Sequence, residues 1–236
     1  MHSLRIRPLY LGTITRQMAN FCQGLELGKI GELPLIAWYI EGCDKKILVD
    51  TGGGNPSQAS PRWLPYRKDS DQSIENGLKK IGVSCSDIDV VISTHLHWDH
   101  TGGNTLFDSR KIVVQEAELR YARSPEAVGA CLPGIVDLDY TVISGDTDIA
   151  EGVRTIVTPG HTAGLQGVLV EAETRRIFIA SDTLPLFSNM EQKPYAISNI
   201  YVDIDKYYQS VKKIASLSAF VLPGHDFRVL EKEVYY

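Results

Sequence analysis

The 236-residue sequence lacks several features that mark particular classes of protein. No dense run of lysine or arginine occurs and the formal net charge is -5, so the cationic surface of a nucleic-acid-binding protein is missing. No apolar run approaches the roughly 20 residues that cross a bilayer, and the N-terminal residues lack the apolar segment and cleavage site of a signal peptide. These absences predict a cytoplasmic protein with neither nucleic acid nor a membrane as partner.

Cysteine is also scarce, and its spacing is uninformative for metal binding. The four cysteines are Cys22, Cys43, Cys85 and Cys131, and no two of them form a CxxC pair. Neither a disulfide framework nor a thiolate zinc site is therefore indicated. We expect all four to be free thiols.

The apolar segments predict a layered fold. With 43% hydrophobic residues the chain can bury one large core, so residues 1–236 are predicted to form a single domain. Short β-branched segments predict strands over 35–42, 46–54, 89–94, 111–115, 153–160, 167–172 and 176–182. Helical spacing predicts helices over 73–82, 115–124 and 203–219. Strands interspersed with helices predict an α/β protein with mixed sheets.

Three local patterns add detail to this fold. Residues 35–50 predict a hairpin that turns at "GCDKK", and the Gly-, Pro- and Ser-rich residues 51–71 predict a long loop. The segment "ILVDTG" (47–52) is similar to "IFIASDT" (177–183), since each is an apolar strand followed by aspartate and threonine. This internal similarity is consistent with two related halves.

Histidines and aspartates follow the predicted strands in an unusual concentration. The stretch "HLHWDH" (95–100) directly follows one strand, and every histidine except His2 follows a strand in the same way. Loops just past strand ends are common places for functional side chains, because a rigid sheet fixes their positions. The candidate metal ligands at four strand ends are His95, His97, Asp99, His100, His161, Asp182 and His225.

This set of side chains favours metal binding. Zinc accepts imidazole nitrogen and carboxylate oxygen, and a catalytic zinc keeps one position for water. Seven ligands are too many for one such ion and suit two ions that share a carboxylate. A lone buried histidine is usually hydrogen-bonded rather than metal-bound. Five of the six histidines at strand ends, however, are hard to explain by packing alone.

The motif "HLHWDH" resembles the HxHxDH signature of the metallo-β-lactamase superfamily. It is followed by "TGGN", "PGHT", an aspartate after a strand and "PGH", in the order typical of that superfamily. The resemblance implies an α/β four-layer αβ/βα sandwich with two mixed sheets and pseudo-twofold halves. It also implies a first metal bound by His95, His97 and His161. The second would be bound by Asp99, His100 and His225, with Asp182 as the bridge between the metals.

Two divalent ions per chain are therefore expected, with Zn²⁺ as the first choice and iron, manganese or cobalt as alternatives. Water between two such ions loses a proton near neutral pH, because metal charge lowers its pKa from 15.7 to about 7 at a good zinc site. The resulting hydroxide would attack an electrophilic carbonyl while the metals stabilise the oxyanion. Asp99 is placed to accept or pass on the proton and is the predicted catalytic residue.

Within the superfamily, "HLHWDHTGGN" and the lone bridging Asp182 most resemble the N-acyl homoserine lactonases and related lactone hydrolases. This resemblance predicts the opening of a small-molecule lactone or ester, by a monomer or a homodimer. Many of those lactonases have a tyrosine three residues after the bridging aspartate, where this chain has Pro185. A donor to the substrate carbonyl would then come from Tyr66, Tyr195 or Tyr201, or the metals alone suffice.

Hydrolysis of another ester, of a glyoxalase-II-like thioester or of a β-lactam is the alternative function. The thioester hydrolases usually continue into a helical substrate domain, and this chain ends soon after His225. Zinc β-lactamases are secreted, whereas no export signal is present here. A catalytically idle binding module would have lost ligands, and all seven are retained.

Other residues near the motifs have more than one interpretation. "DTGGG" (50–54) is similar to an aspartic-protease triplet, but its partner carboxylate would be Asp182, so Asp50 is better predicted to hydrogen-bond a metal-bound histidine. Trp98 is predicted to pack beneath the metal loop. Met18, Phe21 and Leu25 would line either a substrate pocket or the core.

Overall fold

The computed structural model of the protein describes residues 3–57, 65–127 and 130–236. The first sheet comprises β1 (Arg5–Gln17), β2 (Ile30–Glu41), β3 (Ile47–Val49), β4 (Tyr66–Arg67), β5 (Val90–Ile92), β6 (Ile112–Gln115) and β7 (Thr141–Ile143). The second comprises β8 (Thr147–Ala150), β9 (Val153–Val157), β10 (Gln166–Glu171), β11 (Arg176–Ser181) and β12 (Phe220–Pro223). The α-helices of the described residues are α1 (Ile74–Lys80), α2 (Trp98–Thr101), α3 (Glu116–Ala122), α4 (Phe187–Glu191) and α5 (Ile204–Ser216).

Both sheets are mixed, as predicted. The strand order is β4-β1-β2-β3-β5-β6-β7 in the first sheet and β12-β11-β10-β9-β8 in the second. Strands β1 to β3 pair antiparallel and β3, β5, β6 and β7 pair parallel, while β12 is parallel to β11 in an otherwise antiparallel sheet. The hairpin predicted over 35–50 is confirmed by the pairing of β2 with β3.

Three apolar clusters define four layers. Side chains from both sheets, such as Ile40 and Ile177, share a buried cluster between the sheets. Helices α1 and α3 cover the outer face of the first sheet, and α5 covers the outer face of the second. The predicted apolar face of α5 packs there through Tyr207, Val211 and Ile214. The four-layer sandwich predicted from the resemblance is confirmed, since apolar side chains are buried on both faces of each sheet. Each fully buried aliphatic side chain contributes about 1.5–3 kcal/mol to stability.

The two halves repeat one local arrangement. Strand β3 has an antiparallel neighbour, β2, on one side and a parallel neighbour, β5, on the other; β11 lies in the same way between β10 and β12. A non-glycine residue with positive φ lies at the end of each strand: Asp50, directly after β3, at 59°, and Ser181, the last residue of β11, at 47°. Such a backbone costs of order 1–3 kcal/mol and is retained where it directs side chains at functional sites. The internal similarity of the sequence corresponds to this repeated turn.

Strand β1 was not predicted, although it is one of the longest elements. Pro8 and Gly12 interrupt its sequence and are typical of turns. In the structure Gly12 has a φ of 137° and lies at an irregularity of the β1–β2 register, where a Cβ would come within 2.8 Å of the Tyr66 ring. The same irregularity lets β1 pair with β4. Strand β4 interrupts the loop predicted over 51–71, of which residues 58–64, including Trp63, lie outside the described residues.

Two further expectations concern the whole chain. All four cysteines are free, as predicted, and Cys22 is buried. In the parts of the chain that the structure describes, no helix combines the length and apolarity needed to cross a membrane.

Candidate metal centre

The histidine-rich motif lies at the carboxyl end of β5. His97 is still extended, with φ -63° and ψ 152°, but the next residue begins α2. The chain becomes helical after His97, where the Thr101 hydroxyl and the His100 N–H both donate to the His97 carbonyl. The helical turn changes the direction in which Asp99 and His100 point relative to His97.

Glycines allow a second loop to support this turn. The Thr51 N–H donates to the His100 carbonyl at 2.8 Å, and the Gly102 N–H donates to Gly52 at 2.6 Å. A Cβ on Gly102 would lie 2.1 Å from the Gly54 nitrogen. Gly54, Gly102 and Gly103 are thus required by the close approach of two backbones.

The structure brings all seven predicted ligands together. Three groups of side chains have donor atoms that lie within 4.8 Å of one another. The groups are His95, His97 and His161; Asp99, His100 and His225; and His95, His100 and Asp182. The first two coincide with the two ligand sets that the family resemblance implies.

Asp182 lies between the two histidine groups. Its Oδ1 is 2.9 Å from His225 Nε2 and 3.2 Å from His100 Nε2, while its Oδ2 is 3.2 Å from His161 Nε2. His161 Nε2 is in turn 3.0 Å from His97 Nδ1, close to the roughly 3.3 Å separating two nitrogens bound to one tetrahedral zinc. Each carboxylate oxygen therefore faces one group, as a bridging ligand requires.

Asp99 lies farther from the two histidines of the second group than Asp182 does. Its Oδ2 lies 3.9 Å from His225 Nε2 and 4.0 Å from His100 Nε2. Its side chain is half-buried, in contrast to the buried His100 and His225.

The donor atoms fit divalent metal ions. His95 Nε2, His100 Nε2, His225 Nε2 and Asp182 Oδ1 are buried without a hydrogen-bond partner. Several of these atoms are within 3.2 Å of one another, yet their directions do not suit a hydrogen bond. Buried polar atoms in proteins are nearly always hydrogen-bonded, so converging lone pairs that are not indicate ion binding.

Backbone carbonyls orient two of the histidines. His161 Nδ1 donates to the carbonyl of Ile200 and His225 Nδ1 donates to that of Pro34, each at 2.9 Å. A proton held on Nδ1 leaves the Nε2 lone pair available. This is the arrangement that fixes the tautomer of metal-binding histidines.

Asp50 orients a third histidine. Its Oδ2 accepts from His100 Nδ1 at 2.8 Å, and the carboxylate is itself held by the Thr94 N–H and hydroxyl, both at 2.8 Å. The hydrogen bond predicted between Asp50 and a histidine of the motif is confirmed. Removal of the Asp50 carboxylate from this network is the type of change that lowers metal affinity by about 10- to 100-fold.

Electrostatics divide the five histidines into two kinds. Burial and neighbouring histidines lower the pKa of His95 well below its usual value and that of His97 to about 3, and burial also lowers the pKa of His161. Burial acts in the same direction on His100 and His225, but Asp182 overrides it and raises their pKa. Metal binding at these two residues therefore displaces protons, so affinity decreases as pH falls.

A cavity of about 360 Å³ opens onto this cluster. His97, Asp99, His161 and Asp182 line it on the polar side. The other lining residues are mostly apolar, with Arg16 and Asn20 as polar exceptions, and include Ile14, Phe21, Trp98, Ile200 and Val202. A small molecule with one reactive polar end and an apolar remainder matches this lining.

Of the other residues considered for a substrate pocket, some line the cavity and some pack only in the core. Phe21 and Trp98 line the cavity and also belong to the apolar cluster beside it. The packing role predicted for Trp98 is thus accompanied by cavity contact. Met18 and Leu25 pack against the same cluster and are not among the lining residues described for the cavity.

The three candidate tyrosines lie in different places. Tyr201 lines the cavity, as does Tyr121, which was not considered from the sequence. The Tyr66 hydroxyl donates to the Gly54 carbonyl at 3.1 Å. Tyr195 packs against the α5 cluster. Tyr201 is therefore the one of the three predicted donors with access to the cavity among the described residues.

Glu118 is a buried residue of the site region that the sequence patterns did not identify. It lies on α3, is 1% exposed, and accepts hydrogen bonds from the loops of His95 and His161. In the sequence it reads as one polar residue of an amphipathic helix. The available signal was its spacing, because Glu118 and Ala122 share a helical face that also turns out to be buried.

Both the fold and the donor set define a metallohydrolase. The chain belongs to the metallo-β-lactamase superfamily, whose family model matches residues 31–225.

Several proteins similar to this chain are N-acyl homoserine lactonases. An N-acyl homoserine lactonase of a Bacillus species is 31% identical over 212 residues, 84% of each chain, and one from Bacillus thuringiensis is 29% identical with 94% of each chain covered. The structure is also similar to that of an N-acyl homoserine lactone hydrolase with the product N-hexanoyl-L-homoserine bound at its catalytic metal centre. That similarity has a TM-score of 0.84 at 25% identity, over 98% of this chain and 96% of the other.

Proposed function

We propose that this protein is a metal-dependent lactonase that opens the ring of an N-acyl homoserine lactone or a related lactone. The observation that carries the proposal is the juxtaposition of a seven-ligand cluster with a cavity that is lined by four of these ligands and by mostly apolar side chains. Similarity to lactonases along most of the chain supports the same substrate class. The reaction adds water across the ester C–O bond and yields a hydroxy acid.

In this proposal the single domain of 236 residues holds two divalent ions, most simply Zn²⁺. The first group, His95, His97 and His161, holds one ion. The second group, Asp99, His100 and His225, holds the other, and Asp182 is shared. When bound, such ions supply water of lowered pKa and polarise the lactone carbonyl.

Side chains of the protein transfer the proton, bind the apolar part of the substrate and hydrogen-bond its carbonyl. Asp99 is the half-buried carboxylate on the polar side of the cavity, so it is placed to take a proton from the attacking water and pass it to the departing ring oxygen. Phe21, Trp98 and Ile200 hold the apolar part of the substrate and exclude water around the carbonyl. The Tyr201 hydroxyl donates to the carbonyl oxygen in the role for which Pro185 is unsuited.

Replacing Tyr201 with phenylalanine is expected to lower kcat/KM for a lactone by about 10- to 100-fold, because one hydrogen bond to the carbonyl oxygen, which gains negative charge during the reaction, is lost. Because the ring remains, substrate packing and metal content should not change. Steady-state kinetics measure kcat/KM, and elemental analysis measures the metal content. Tyr208→Phe is the matched control, since Tyr208 is exposed and its hydroxyl faces Gln23. If Tyr201→Phe retains full kcat/KM while Tyr121→Phe loses it, Tyr121 is the donor instead.

The substrate class is tested by titrating acid release at constant pH. The panel contains N-acyl homoserine lactones, simple γ- and δ-lactones, a cephalosporin and a glutathione thioester. We expect the lactones to give the highest kcat/KM, and removal of metal by a chelator to abolish it, with recovery on adding Zn²⁺. A preference for the thioester or the cephalosporin would overturn the lactonase assignment and leave metal-dependent hydrolysis in place.

A further inference from the structure

Glu118 connects the two loops that carry the first histidine group. Its Oε1 accepts from the Leu96 N–H at 2.9 Å, and its Oε2 accepts from the Thr162 hydroxyl at 2.6 Å and the Gly164 N–H at 3.1 Å. Leu96 lies between His95 and His97, and Thr162 directly follows His161. One carboxylate thus joins the backbones on both sides of the His97–His161 contact.

Both residues that Glu118 connects lie in the protein interior. Leu96 is fully buried in the cluster between the first sheet and its covering helices, and Thr162 is also fully buried. The hydrogen bonds that Glu118 accepts therefore hold residues that are fully buried. A small change in the length of this connection is transmitted to the separation of the histidines.

The close approach of α3 is a built-in feature. A Cβ on Gly164 would lie 2.1 Å from the Glu118 nitrogen, so only glycine permits this contact. Burying a carboxylate is costly unless several donors satisfy it, and an apolar side chain would fill the same space at lower cost. Three donors arranged on two separate loops indicate that the carboxylate is retained to hold those loops together.

We propose that Glu118 is a positioning residue that sets the separation of the His95–His97 loop from the His161 loop and thereby the metal affinity of the first group. This inference rests on the proposed function, in which these histidines bind an ion. Glu118 accepts its hydrogen bonds from the backbone of Leu96 and Gly164 and from the hydroxyl of Thr162, so it acts on the metal ligands through these groups.

The substitution Glu118→Gln tests the proposal. Glutamine has the same size but only one acceptor oxygen, so its amide hydrogens must face the N–H of Leu96 or of Gly164, and one connection is lost. We expect one of two Zn²⁺ ions to bind about 10- to 100-fold more weakly, as for other losses of support around metal ligands, while the second ion is retained. Competition with a chromophoric chelator, starting from the zinc-loaded protein, measures both affinities.

A matched control lies on the same helix. Glu116 is exposed and pairs with Arg120 at 3.1 Å, so Glu116→Gln removes the same charge from α3 without touching either loop. Its two zinc affinities should equal those of the wild type. Combining Glu118→Gln with His161→Ala, which already disables the first group, should cause no further loss, because both changes act on one site.

The outcomes separate this inference from the proposed function. If the wild type binds two ions and Glu118→Gln binds both with unchanged affinity, the positioning role is wrong and the lactonase proposal stands. If the wild type itself binds no ion, the proposed function is wrong. If Glu118→Gln does not fold, Thr162→Val is the second test, because valine has the shape of threonine but lacks the hydroxyl that donates to Glu118. Weaker binding of one ion by about 3- to 10-fold, with the other ion unaffected, supports the positioning role. Equal affinities in Thr162→Val would contradict it.

Discussion

Replacing Asp182 with asparagine is expected to lower kcat/KM for a lactone by on the order of 10³-fold or more and to reduce the metal content from about two ions per chain to one or fewer. Asparagine keeps the shape but presents amide hydrogens where a carboxylate oxygen faces His161, His100 or His225. Both histidine groups lose their shared anion. Steady-state kinetics and elemental analysis of metal-replete protein give the two readouts.

The fold should survive this change. The contact that ties residue 182 to α5 uses its backbone carbonyl, which accepts from the Tyr207 hydroxyl at 2.7 Å and is untouched by the substitution. Circular dichroism should therefore match that of the metal-free wild type. Asp148→Asn is the control, because Asp148 is exposed on β8 and pairs with Arg154 at 3.3 Å, a contact worth little at the surface. Undiminished lactone hydrolysis or two retained ions in Asp182→Asn would remove Asp182 from the site.

The ligand cluster could be predicted from the sequence because its chemistry is local. His95, His97, Asp99 and His100 lie within six consecutive residues, and the other three candidates each follow an apolar strand, so strand prediction alone places them at sheet ends. The ends of β9, β11 and β12 share one edge of the second sheet, because β11 and β12 are parallel and both β9 and β11 run antiparallel to β10. The division into two groups around Asp182, however, depends on distances that no spacing along the chain contains.

Other parts could not be predicted, for identifiable reasons. Pro8 and Gly12 are typical of turns, and only pairing of β1 with both β2 and β4 makes that segment a strand. Strands β7 and β8 are three and four residues long and contain no fully buried residue, so they lack the apolar pattern of a core strand. Glu118 is chemically ordinary in a helix, and its burial results from the approach of the Thr162–Gly164 loop. Tertiary contacts, rather than propensity, decided each of these.

Asp99→Asn is expected to lower kcat for an alkyl lactone by about 10²- to 10⁴-fold, the usual contribution of a positioned acid or base, while the metal content is kept. Asparagine retains an oxygen that can face His100 and His225, but it cannot carry a proton. The loss should be much smaller for an aryl ester, whose leaving group departs without protonation. Comparing a δ-lactone with a nitrophenyl ester in the same variant measures this difference.

The two substrates separate proton transfer from metal binding at Asp99. If Asp99→Asn loses a metal ion and hydrolyses both substrates equally poorly, Asp99 is only a ligand and its predicted catalytic role is wrong. If metal is kept and only the lactone is affected, the proton is delivered to the ring oxygen by this carboxylate. The geometry favours the second result, because Asp99 lines the cavity and lies farther from His100 and His225, at 3.9–4.0 Å, than Asp182 does at 2.9–3.2 Å.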